Sequence, residues 1–255
     1  MAKLSVTVIT LNESANIDAC LASVAWADEI VVIDSHSVDD TAARARAAGA
    51  RVIDRDWPGY AAQKNFAAEA VTNDWILSLD ADERVTPALA AEIQAALRSE
   101  PHAPGFRIPR VTWHLGRWIR TTDWYPDYQL RLYDRRRARW KTRRVHESVE
   151  TDGMPATLNN DLEHYAYRDL SHHHATIDSY TTLAARQMFE DGRRAGVADL
   201  ALLPAAAFLR NYVLKRGFQD GSAGFVISSM NAYYVFLKFA KLWTIAQNRA
   251  KPDAR

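Results

Sequence analysis

The stretch Trp75-Ile-Leu-Ser-Leu-Asp80-Ala-Asp82-Glu83 decides the fold and the position of the site. An apolar run of this length that ends in carboxylates predicts a buried strand stopping at the edge of a sheet. Open α/β sheets bind their ligands at this edge. We expect an extended tip, in which side-chain alternation directs Asp80 and Asp82 to the same side. Two such carboxylates repel each other unless a cation lies between them, and their hard oxygens suit Mg²⁺ or Mn²⁺. A solvated acidic loop that caps the next helix is the alternative interpretation.

Three earlier apolar runs predict further strands, at Leu4–Thr10, Glu29–Asp34 and Arg51–Asp54, and helical patterns alternate with them. Such alternation with short connections predicts a parallel sheet covered on both faces. Right-handed crossovers place the carboxyl ends of all these strands at one edge. The polar residues that end the strands therefore converge on one cleft.

Composition narrows the class of protein. The 255 residues carry a net charge of +1, from 32 basic and 31 acidic residues, so nothing global indicates a nucleic-acid partner. The single cysteine, Cys20, excludes an internal disulfide and fits a reducing compartment. The first residues lack the layout of a signal peptide, and no stretch reaches the ~18 uninterrupted apolar residues of a membrane span. We therefore expect a cytoplasmic protein.

The later parts of the chain differ in pattern from the first hundred residues. Between Arg107 and Arg144, Arg and Lys greatly outnumber the three aspartates at 123, 127 and 134. A local field of this sign suits an anionic partner such as phosphate or phospholipid. Short strand-like pieces occupy the region after Pro101, and from Ile177 onward the pattern is helical.

The C-terminal tail combines apolar and basic residues, in Leu200–Leu214 and again in Phe225–Trp243. Amphipathic helices of this composition lie in the plane of a membrane interface. We expect peripheral contact with the inner face of the plasma membrane, where anionic lipids attract basic groups. Ordinary packing against the rest of the protein is the alternative. The run His172-His-His174 is a poor zinc site, because adjacent side chains point in different directions, and predicts a loop or a helix start.

Four N-terminal motifs, in order and spacing, resemble those of the inverting glycosyltransferases of family 2, which have the GT-A nucleotide-sugar fold. They are Val8-Ile-Thr-Leu-Asn12-Glu13, Val31–Thr41, Gln63-Lys64-Asn65 and the Asp-x-Asp (DxD) motif in Ser78–Glu83. Three later segments are similar to those of a subgroup that includes the lipopolysaccharide core β-1,4-glucosyltransferases: Gln129–Tyr133, Val145–Glu147 and Phe208–Trp243.

This resemblance implies an α/β fold of the GT-A type, with a Rossmann-like mixed, mostly parallel sheet and a helical C-terminal tail. Residues 1–170 are expected to form the catalytic domain, with a nucleotide-sugar half (1–100) and an acceptor half (101–170). Residues 171–255 are the expected helical extension. The implied reaction moves a hexose, glucose from UDP-glucose, to a lipopolysaccharide core or another lipid-linked or saccharide acceptor. It proceeds with inversion and needs Mg²⁺ or Mn²⁺.

The resemblance also suggests roles for residues of the nucleotide-sugar half. Asp82 is the expected direct metal ligand, with Asp80 bridging to the ribose or the metal. Asp34 resembles the aspartate that accepts the imide N–H of uracil, although capping the following turn explains it too. The remaining substrate-binding candidates are Thr10, Asn12 and Glu13, around the nucleotide, and Lys64, at the diphosphate.

Inversion needs a general base that deprotonates the attacking hydroxyl group of the acceptor. Glu147 is the first candidate and Asp127 the second. His146 is a candidate metal or phosphate ligand, or else a packing histidine, and Arg131 can hold a phosphate by a bidentate contact. The sequence lacks the Glu-Asp pair that many family 2 enzymes carry after the DxD motif, so the resemblance specifies the base less closely than the donor site.

Two rival functions use the same residues differently. A sugar nucleotidyltransferase shares the fold, but it would need a glycine-rich phosphate loop, and Thr10-Leu-Asn-Glu13 contains no glycine. A non-catalytic module that binds nucleotide sugars and docks on membranes is the second rival. The intact pair of Asp80 and Asp82 argues against it.

Overall fold

The computed structural model describes residues 2–98, 101–141 and 148–250. The chain forms two compact units. The first unit comprises Met1–Val111 and Asp127–Tyr165, and the second comprises Thr112–Pro126 and Ala166–Arg255. The sequence-based division of the chain at residue 170 stays a prediction.

The first unit begins with four parallel strands, each followed by a helix or a turn. The strands are β1 (Leu4–Thr10), β2 (Glu29–Asp34), β3 (Arg51–Asp54) and β4 (Trp75–Asp80), and the connecting helices are α1 (Ile17–Ser23), α2 (Thr41–Ala47) and α3 (Tyr60–Ala70). Strand β1 lies between β2 and β4 and pairs with both in parallel register. The prediction of a parallel core is confirmed.

The rest of the first unit extends this core as a mixed sheet. The elements that follow are β5 (Glu83–Val85), α4 (Pro87–Ala96), β6 (Gly105–His114), β7 (Arg117–Ile119), β8 (Asp127–Asp134), β9 (Ala138–Lys141), β10 (Ser148–Thr151), β11 (Ala156–Thr157) and β12 (Leu162–His164). Strand β7 and the end of β6 belong to the second unit. The main strand order is β3-β2-β1-β4-β8-β6-β12-β5, and β7 and β11 each pair with β6. Strands β9 and β10 form a separate two-stranded antiparallel sheet. Strand β8 pairs antiparallel with β4, and β12 pairs antiparallel with β5.

The central strands are buried, and their packing holds in place the edge of the sheet where the strands end. All seven residues of β1 are buried, as expected for a strand covered on both faces. Val6 and Val8 contact Leu77 and Leu79 within one apolar cluster. The strand ends therefore emerge from a closely packed core, which holds the polar residues that follow them in fixed positions.

The second unit is mostly helical. It contains a short 3-10 helix (Thr122–Trp124), α5 (Leu170–Glu190), α6 (Val197–Leu209), a π-helical segment (Arg210–Leu214), a 3-10 turn (Gly217–Asp220) and the long helix α7 (Gly221–Ala250). Helix α5 begins earlier than the predicted Ile177, because the Asp169 side chain caps it by accepting a hydrogen bond from the His172 N–H (2.7 Å). The three histidines thus lie at a helix start, as predicted.

One helical stretch among the described residues is long and apolar enough to cross a membrane, by length and composition alone. It spans Val197–Leu214 with a mean hydropathy of 1.4, and only 6% of it is buried. Counting uninterrupted apolar residues did not detect it, because Asp199 and Arg210 interrupt the run.

Candidate active site

The parallel register brings three strand ends to one edge of the first unit. Thr10, the last residue of β1, lies opposite Asp34, the last residue of β2. On the other side of β1, Ile9 lies opposite Asp80, the last residue of β4. The convergence predicted from the alternation of strands and helices is therefore present.

The buried carboxylate of Asp34 holds the loop that follows β2. Its Oδ2 accepts a hydrogen bond from the Ser37 N–H (2.7 Å), and its Oδ1 accepts one from the Ser37 hydroxyl (2.6 Å). Asp34 is only 1% exposed. A carboxylate oxygen has a second lone pair, so this capping leaves room for another donor. The predicted contact with uracil stays a prediction.

Two polar atoms beside Asp34 are buried without a hydrogen-bond partner in the part of the chain that the structure describes. They are Thr10 Oγ1 and Gln63 Oε1. The other end of the Gln63 amide donates to the Ser35 hydroxyl (3.2 Å), and the Ser35 N–H donates to the Thr10 carbonyl (2.9 Å). A buried polar atom without a partner costs about 1–3 kcal/mol. Such atoms at a sheet edge are typical of a binding site in which a polar ligand supplies the missing hydrogen bonds.

Asn12 and Glu13 shape the loop after β1. Asn12 has a positive φ of 55°, its N–H donates to the Ser37 hydroxyl, and its Oδ1 accepts a hydrogen bond from the Val38 N–H (2.9 Å). The Glu13 carboxylate accepts a hydrogen bond from the Asn16 amide (2.8 Å). Both side chains thus support the loops that surround the strand ends, and their contacts with a nucleotide stay predictions.

The predicted extended tip at the DxD motif is wrong. Ala81 and Asp82 form a turn between β4 and β5, rather than continuing the strand. Glu83 stabilises the turn, because its Oε2 accepts a hydrogen bond from the Asp80 N–H (3.0 Å). The turn breaks the alternation from which a common direction for Asp80 and Asp82 was predicted.

The Asp80 carboxylate lies between two cations. Its Oδ1 is 2.9 Å from Lys64 Nζ, and its Oδ2 is 2.5 Å from Arg131 Nη2. Lys64 also lies over the Trp140 ring, 4.6 Å from the centroid. Both oxygens of Asp80 thus already have cationic partners, which weakens its case as a metal ligand. In this structure Lys64 and Arg131 contact Asp80, and their predicted phosphate contacts stay predictions.

Two further acids complete this cluster, which comprises Lys64, Asp80, Glu83, Arg110, Asp127 and Arg131. Glu83 Oε1 lies 2.6 Å from Arg131 and 2.9 Å from Arg110. Arg110 also contacts Asp127 Oδ2 (2.7 Å), while Gln129 donates to Asp127 Oδ1 (2.6 Å). Three acids face three bases, so we call this group the neutral ion cluster.

Burial and the neighbouring charges shift the pKa values of several members of the neutral ion cluster. Burial alone would raise the pKa of the Asp80 carboxyl group, but Arg131 and Lys64 outweigh burial and hold that pKa well below its ordinary value. Burial lowers the pKa of Lys64, against the opposing effect of Asp80. For Arg131, Asp80 and Glu83 outweigh burial and raise the pKa.

Asp82 lies outside the neutral ion cluster, and His164 is its neighbour. His164 Nε2 lies 3.4 Å from Asp82 Oδ2, and both side chains are partly exposed. The pairing of β12 with β5 places His164 opposite Glu83, and the Tyr165 N–H donates to the Asp82 carbonyl (2.9 Å). Because the cluster is neutral in sum, the Asp82 carboxylate adds a negative charge beside it that a cationic ligand can neutralise.

The pair of Asp82 and His164 fits a divalent cation only with help from a substrate. No group of three or more His, Cys, Asp or Glu side chains within residues 2–98, 101–141 and 148–250 is placed to hold a metal ion. A carboxylate and an imidazole are suitable ligands for Mn²⁺ or Mg²⁺, and such ions commonly take their remaining ligands from substrate phosphates and water. The donor set is therefore compatible with an ion that arrives with a diphosphate.

Two of the predicted residues lie outside the described residues: the candidate base Glu147 and the candidate ligand His146. Asp127, the second candidate base, is held by Arg110 and Gln129.

Sequence reasoning missed His164, Arg110 and Glu83. The strand-like run Leu162–His164 was the available signal for His164, but nothing local indicates that it pairs with β5. Arg110 belonged to the basic segment without being singled out, and Glu83 was seen only as part of the acidic motif.

Comparison with known proteins assigns the chain to a family. The sequence model described as "Glycosyl transferase family 2" matches residues 5–164. The lipopolysaccharide core biosynthesis glycosyltransferase LpsC of Rhizobium meliloti (strain 1021) is 31% identical over 261 residues, which cover 98% of this chain and 95% of LpsC. The uncharacterized glycosyltransferase RP128 of Rickettsia prowazekii (strain Madrid E) is 31% identical over 260 residues, covering 95% of this chain and 87% of that protein.

A solved structure is similar over a smaller part. Glucosyl-3-phosphoglycerate synthase from Mycobacterium tuberculosis, solved with Mn²⁺, UDP and glucosyl-3-phosphoglycerate, matches with a TM-score of 0.38 and 26% identity. The match covers 45% of this chain and 45% of that one, so the chain matches less than half of the synthase.

The family match and the strand order agree on the architecture. The mixed sheet with a parallel core and the helical C-terminal region form the GT-A fold that the motifs predicted. The DxD motif and the strand ends around it fall within the matched residues 5–164. With more than half of the chain matched and a 31% identical relative aligned along nearly all of it, the protein belongs to glycosyl transferase family 2 and is a glycosyltransferase.

Proposed function

We propose that this glycosyltransferase moves glucose from UDP-glucose to a lipopolysaccharide core or another lipid-linked acceptor, with inversion at the anomeric carbon and with a divalent cation. The observation that carries the proposal is the pair of Asp82 and His164, 3.4 Å apart, beside the neutral ion cluster. It supplies an uncompensated carboxylate where the ends of three strands meet. The name of the relative LpsC supports the class of acceptor.

The donor nucleoside binds, in this proposal, next to Asp34. Thr10 Oγ1 and Gln63 Oε1 are buried there and have no partner among the described residues. The N–H and O–H groups of a nucleoside can satisfy such atoms, and they would do so where water is excluded. Asp34 has lone pairs left to accept the imide N–H of uracil, as the family resemblance implies.

The cation is held by Asp82 and His164, with its remaining ligands from the diphosphate. When bound, it would neutralise the charge that grows on the diphosphate as the sugar leaves. The chain itself keeps the two ligands in place. The Glu83 carboxylate fixes the turn from one side, and the Tyr165 N–H holds the Asp82 carbonyl from the other.

The neutral ion cluster has a supporting role in this proposal. Lys64 and Arg131 take up the charge of Asp80, so that Asp82 alone faces the cation. Positioning residues of this kind keep a reacting group within a fraction of an ångström of its working geometry. The formal charges of the six side chains sum to zero, so the cluster adds no net charge beside the cation and the diphosphate.

Deprotonation of the acceptor hydroxyl group is assigned to Glu147, with Asp127 as the alternative. Arg110 already engages one oxygen of Asp127, and Gln129 engages the other, so a proton would have to compete with both. Glu147→Gln is expected to lower kcat at least a hundredfold, in the range for loss of a general base. Asp127→Asn is expected to have a smaller effect.

Calorimetric titration of the purified chain with UDP, with and without Mn²⁺, tests the cation site directly. Mn²⁺ should tighten UDP binding in the unaltered protein, and Asp82→Asn or His164→Ala should abolish this gain. Asp152→Asn is the matched control, since Asp152 is an exposed carboxylate paired with Arg137. If Asp82→Asn keeps the Mn²⁺-dependent gain, the site assignment is wrong.

Donor and stereochemistry need a separate measurement. A thermal-shift series of UDP, GDP, dTDP and their sugars should favour UDP and UDP-glucose, because a bound ligand stabilises the folded state. Proton NMR of the product formed on a core oligosaccharide should then give a β-glucoside from the α-linked donor. Retention of configuration, or selective stabilisation by a different nucleotide, would contradict the corresponding part of the proposal.

A further inference from the structure

Helix α6 presents an apolar stripe to solvent. Leu202 is 67% exposed, Leu209 58% and Val213 50%. Leu202 and Leu209 are seven residues apart and therefore share one face of α6, and Val213 follows in the π-helical segment. Leu214 and Phe218, which follow, are 76% and 50% exposed. We call these five residues the apolar stripe.

The opposite face of α6 is already used for packing within the second unit. Leu200 and Leu203 contact the apolar cluster of Ala185, Phe239 and Leu242 on α5 and α7. None of the residues of α6 is buried. The helix therefore has one face that holds it to its unit and a second face that the described residues leave exposed.

Two exposed cations, Lys215 and Arg216, lie between Leu214 and Phe218 of the apolar stripe. The nearby Arg210 is paired with Asp123, so it does not add to this charge. Asp199, near the start of the helix, accepts a hydrogen bond from the Gly196 N–H (2.9 Å). Apolar side chains next to exposed basic ones are the combination that anionic lipid surfaces attract.

We propose that the apolar stripe docks in the plane of a bilayer that contains anionic lipids, with Lys215 and Arg216 among the headgroups. The charge favours this partner, because anionic headgroups neutralise Lys215 and Arg216, whereas two apolar stripes packed in parallel would bring these like-charged residues together. The surface suits the inner face of the plasma membrane, where anionic lipids are concentrated.

The same helix does not cross the bilayer in this proposal. Asn211 is buried and holds the π-helical segment, since its Oδ1 accepts from the Asp123 N–H (2.8 Å) and its amide donates to the Ala207 carbonyl (3.1 Å). Insertion across the membrane would break these contacts, and it would also separate Leu200 and Leu203 from their cluster. Docking in the plane keeps both.

This inference does not depend on the proposed reaction. It rests on exposure and charge within the second unit, whereas the reaction rests on residues of the first unit. A failure of vesicle binding would leave the titration of UDP unaffected, and a failure of that titration would leave vesicle binding unaffected.

Flotation of the full chain with lipid vesicles tests the proposal. Vesicles of phosphatidylcholine mixed equally with phosphatidylglycerol should carry the protein upward, and vesicles of phosphatidylcholine alone should carry much less. Lys215→Gln combined with Arg216→Gln should weaken binding about thirtyfold, as expected for two basic residues near an anionic surface. High salt should weaken binding of the unaltered protein in the same way.

A second variant addresses the apolar part of the surface. Leu209→Glu combined with Val213→Glu should lower partition of the protein onto the vesicles more than tenfold, because two apolar side chains that would enter the bilayer are replaced by charged ones. Both residues are exposed, so the fold should persist, which circular dichroism checks. Val38→Glu combined with Met154→Glu is the matched control, since these side chains are 92% and 90% exposed in the first unit. This control should bind the anionic vesicles nearly as well as the unaltered protein.

Three outcomes would overturn the proposal. The first is equal partition of the Leu209→Glu/Val213→Glu variant and the unaltered protein. The second is a concentration-dependent dimer in sedimentation velocity that this variant abolishes, which would assign the stripe to a second copy. The third is protein that stays in the membrane pellet after carbonate extraction at high pH, which would indicate a spanning helix. Release by carbonate supports docking in the plane.

Discussion

Glu83 is fully buried, and its carboxylate contacts the guanidinium groups of Arg131 (2.6 Å) and Arg110 (2.9 Å). The acid therefore joins two cations, each of which has a second carboxylate partner: Asp80 for Arg131 and Asp127 for Arg110. It also accepts a hydrogen bond from the Asp80 N–H, so the same side chain fixes the turn that positions Asp82. Glu83 is thus a structural residue of the site.

Glu83→Gln should destabilise the protein strongly. Removing one partner of a buried ion pair leaves uncompensated charge and costs about 3–5 kcal/mol. The free energy of unfolding, from urea titration followed by circular dichroism, measures this loss. Glu150→Gln is the control, because Glu150 pairs with Lys141 at the surface and such pairs contribute about 0–1 kcal/mol. Equal effects of the two substitutions would contradict the assignment.

Gly224→Ala should disrupt the start of α7. A Cβ atom at Gly224 would lie 1.8 Å from the Gly217 carbonyl oxygen and 2.7 Å from its carbon, which are backbone atoms that cannot rotate away. The cost should be about 3 kcal/mol or more, as for severe overpacking. Thermal unfolding of Gly224→Ala measures it. Gly153→Ala, where the nearest atom is the Arg137 guanidinium at 3.7 Å, should leave the unfolding midpoint almost unchanged.

Acid should destabilise the second unit through His173. Burial, followed by the nearby His114, lowers the pKa of His173 from 6.5 to about 4. The unfolded chain therefore binds a proton that the folded chain excludes. This contribution to stability is complete above pH 6.5 and is lost as the pH falls from about 6.5 towards 4, by up to about 3 kcal/mol.

Urea midpoints measured at several pH values check the effect of His173. His173→Gln should reduce the loss of stability at acid pH only in part. Burial also lowers the pKa of His114, so the contribution of His114 to the acid dependence remains. The exposed His174, replaced by Gln, is the control and should keep the full acid dependence. If the urea midpoint of His173→Gln falls with pH as steeply as that of the unaltered protein, another group is responsible.

Gln63→Leu should separate binding from stability. The Gln63 Oε1 atom is buried without a partner in the described part of the chain, so its removal relieves a cost in the free protein, which offsets the loss of the amide hydrogen bond to Ser35. If the nucleotide donates a hydrogen bond to Gln63 Oε1, the substitution should raise the Kd for UDP about tenfold or more, while the unfolding midpoint changes little. Gln187→Leu, on α5, is the control for a general effect of the substitution. Unchanged UDP affinity would exclude Gln63 from the donor site.

The parallel core was predictable because its signals are local. Apolar runs rich in β-branched residues gave the bounds of β1, β2 and β3. Strand–helix alternation then fixed which ends share an edge, which brings Thr10, Asp34 and Asp80 together without further information.

The details of the site depend on contacts that the sequence does not encode locally. The turn at Ala81 and Asp82 forms because Glu83 accepts a hydrogen bond from Asp80, and pattern reasoning had treated the tip as extended. His164 reaches Asp82 only through antiparallel pairing of β12 with β5, and a three-residue strand carries almost no signal for its partner. The same holds for Arg131, whose partners come from β4 and β5.

The pairing of β12 with β5 also bears on how the protein is made. Translation delivers Asp82 early, with the parallel strands, but the imidazole that lies beside it arrives only when the ribosome has passed residue 164. Strand β12 must then find an edge formed long before. A nascent chain that stalls in between has the acidic turn without its imidazole neighbour, so the order of the chain makes the Asp82–His164 pair one of the last features of the first unit to be completed.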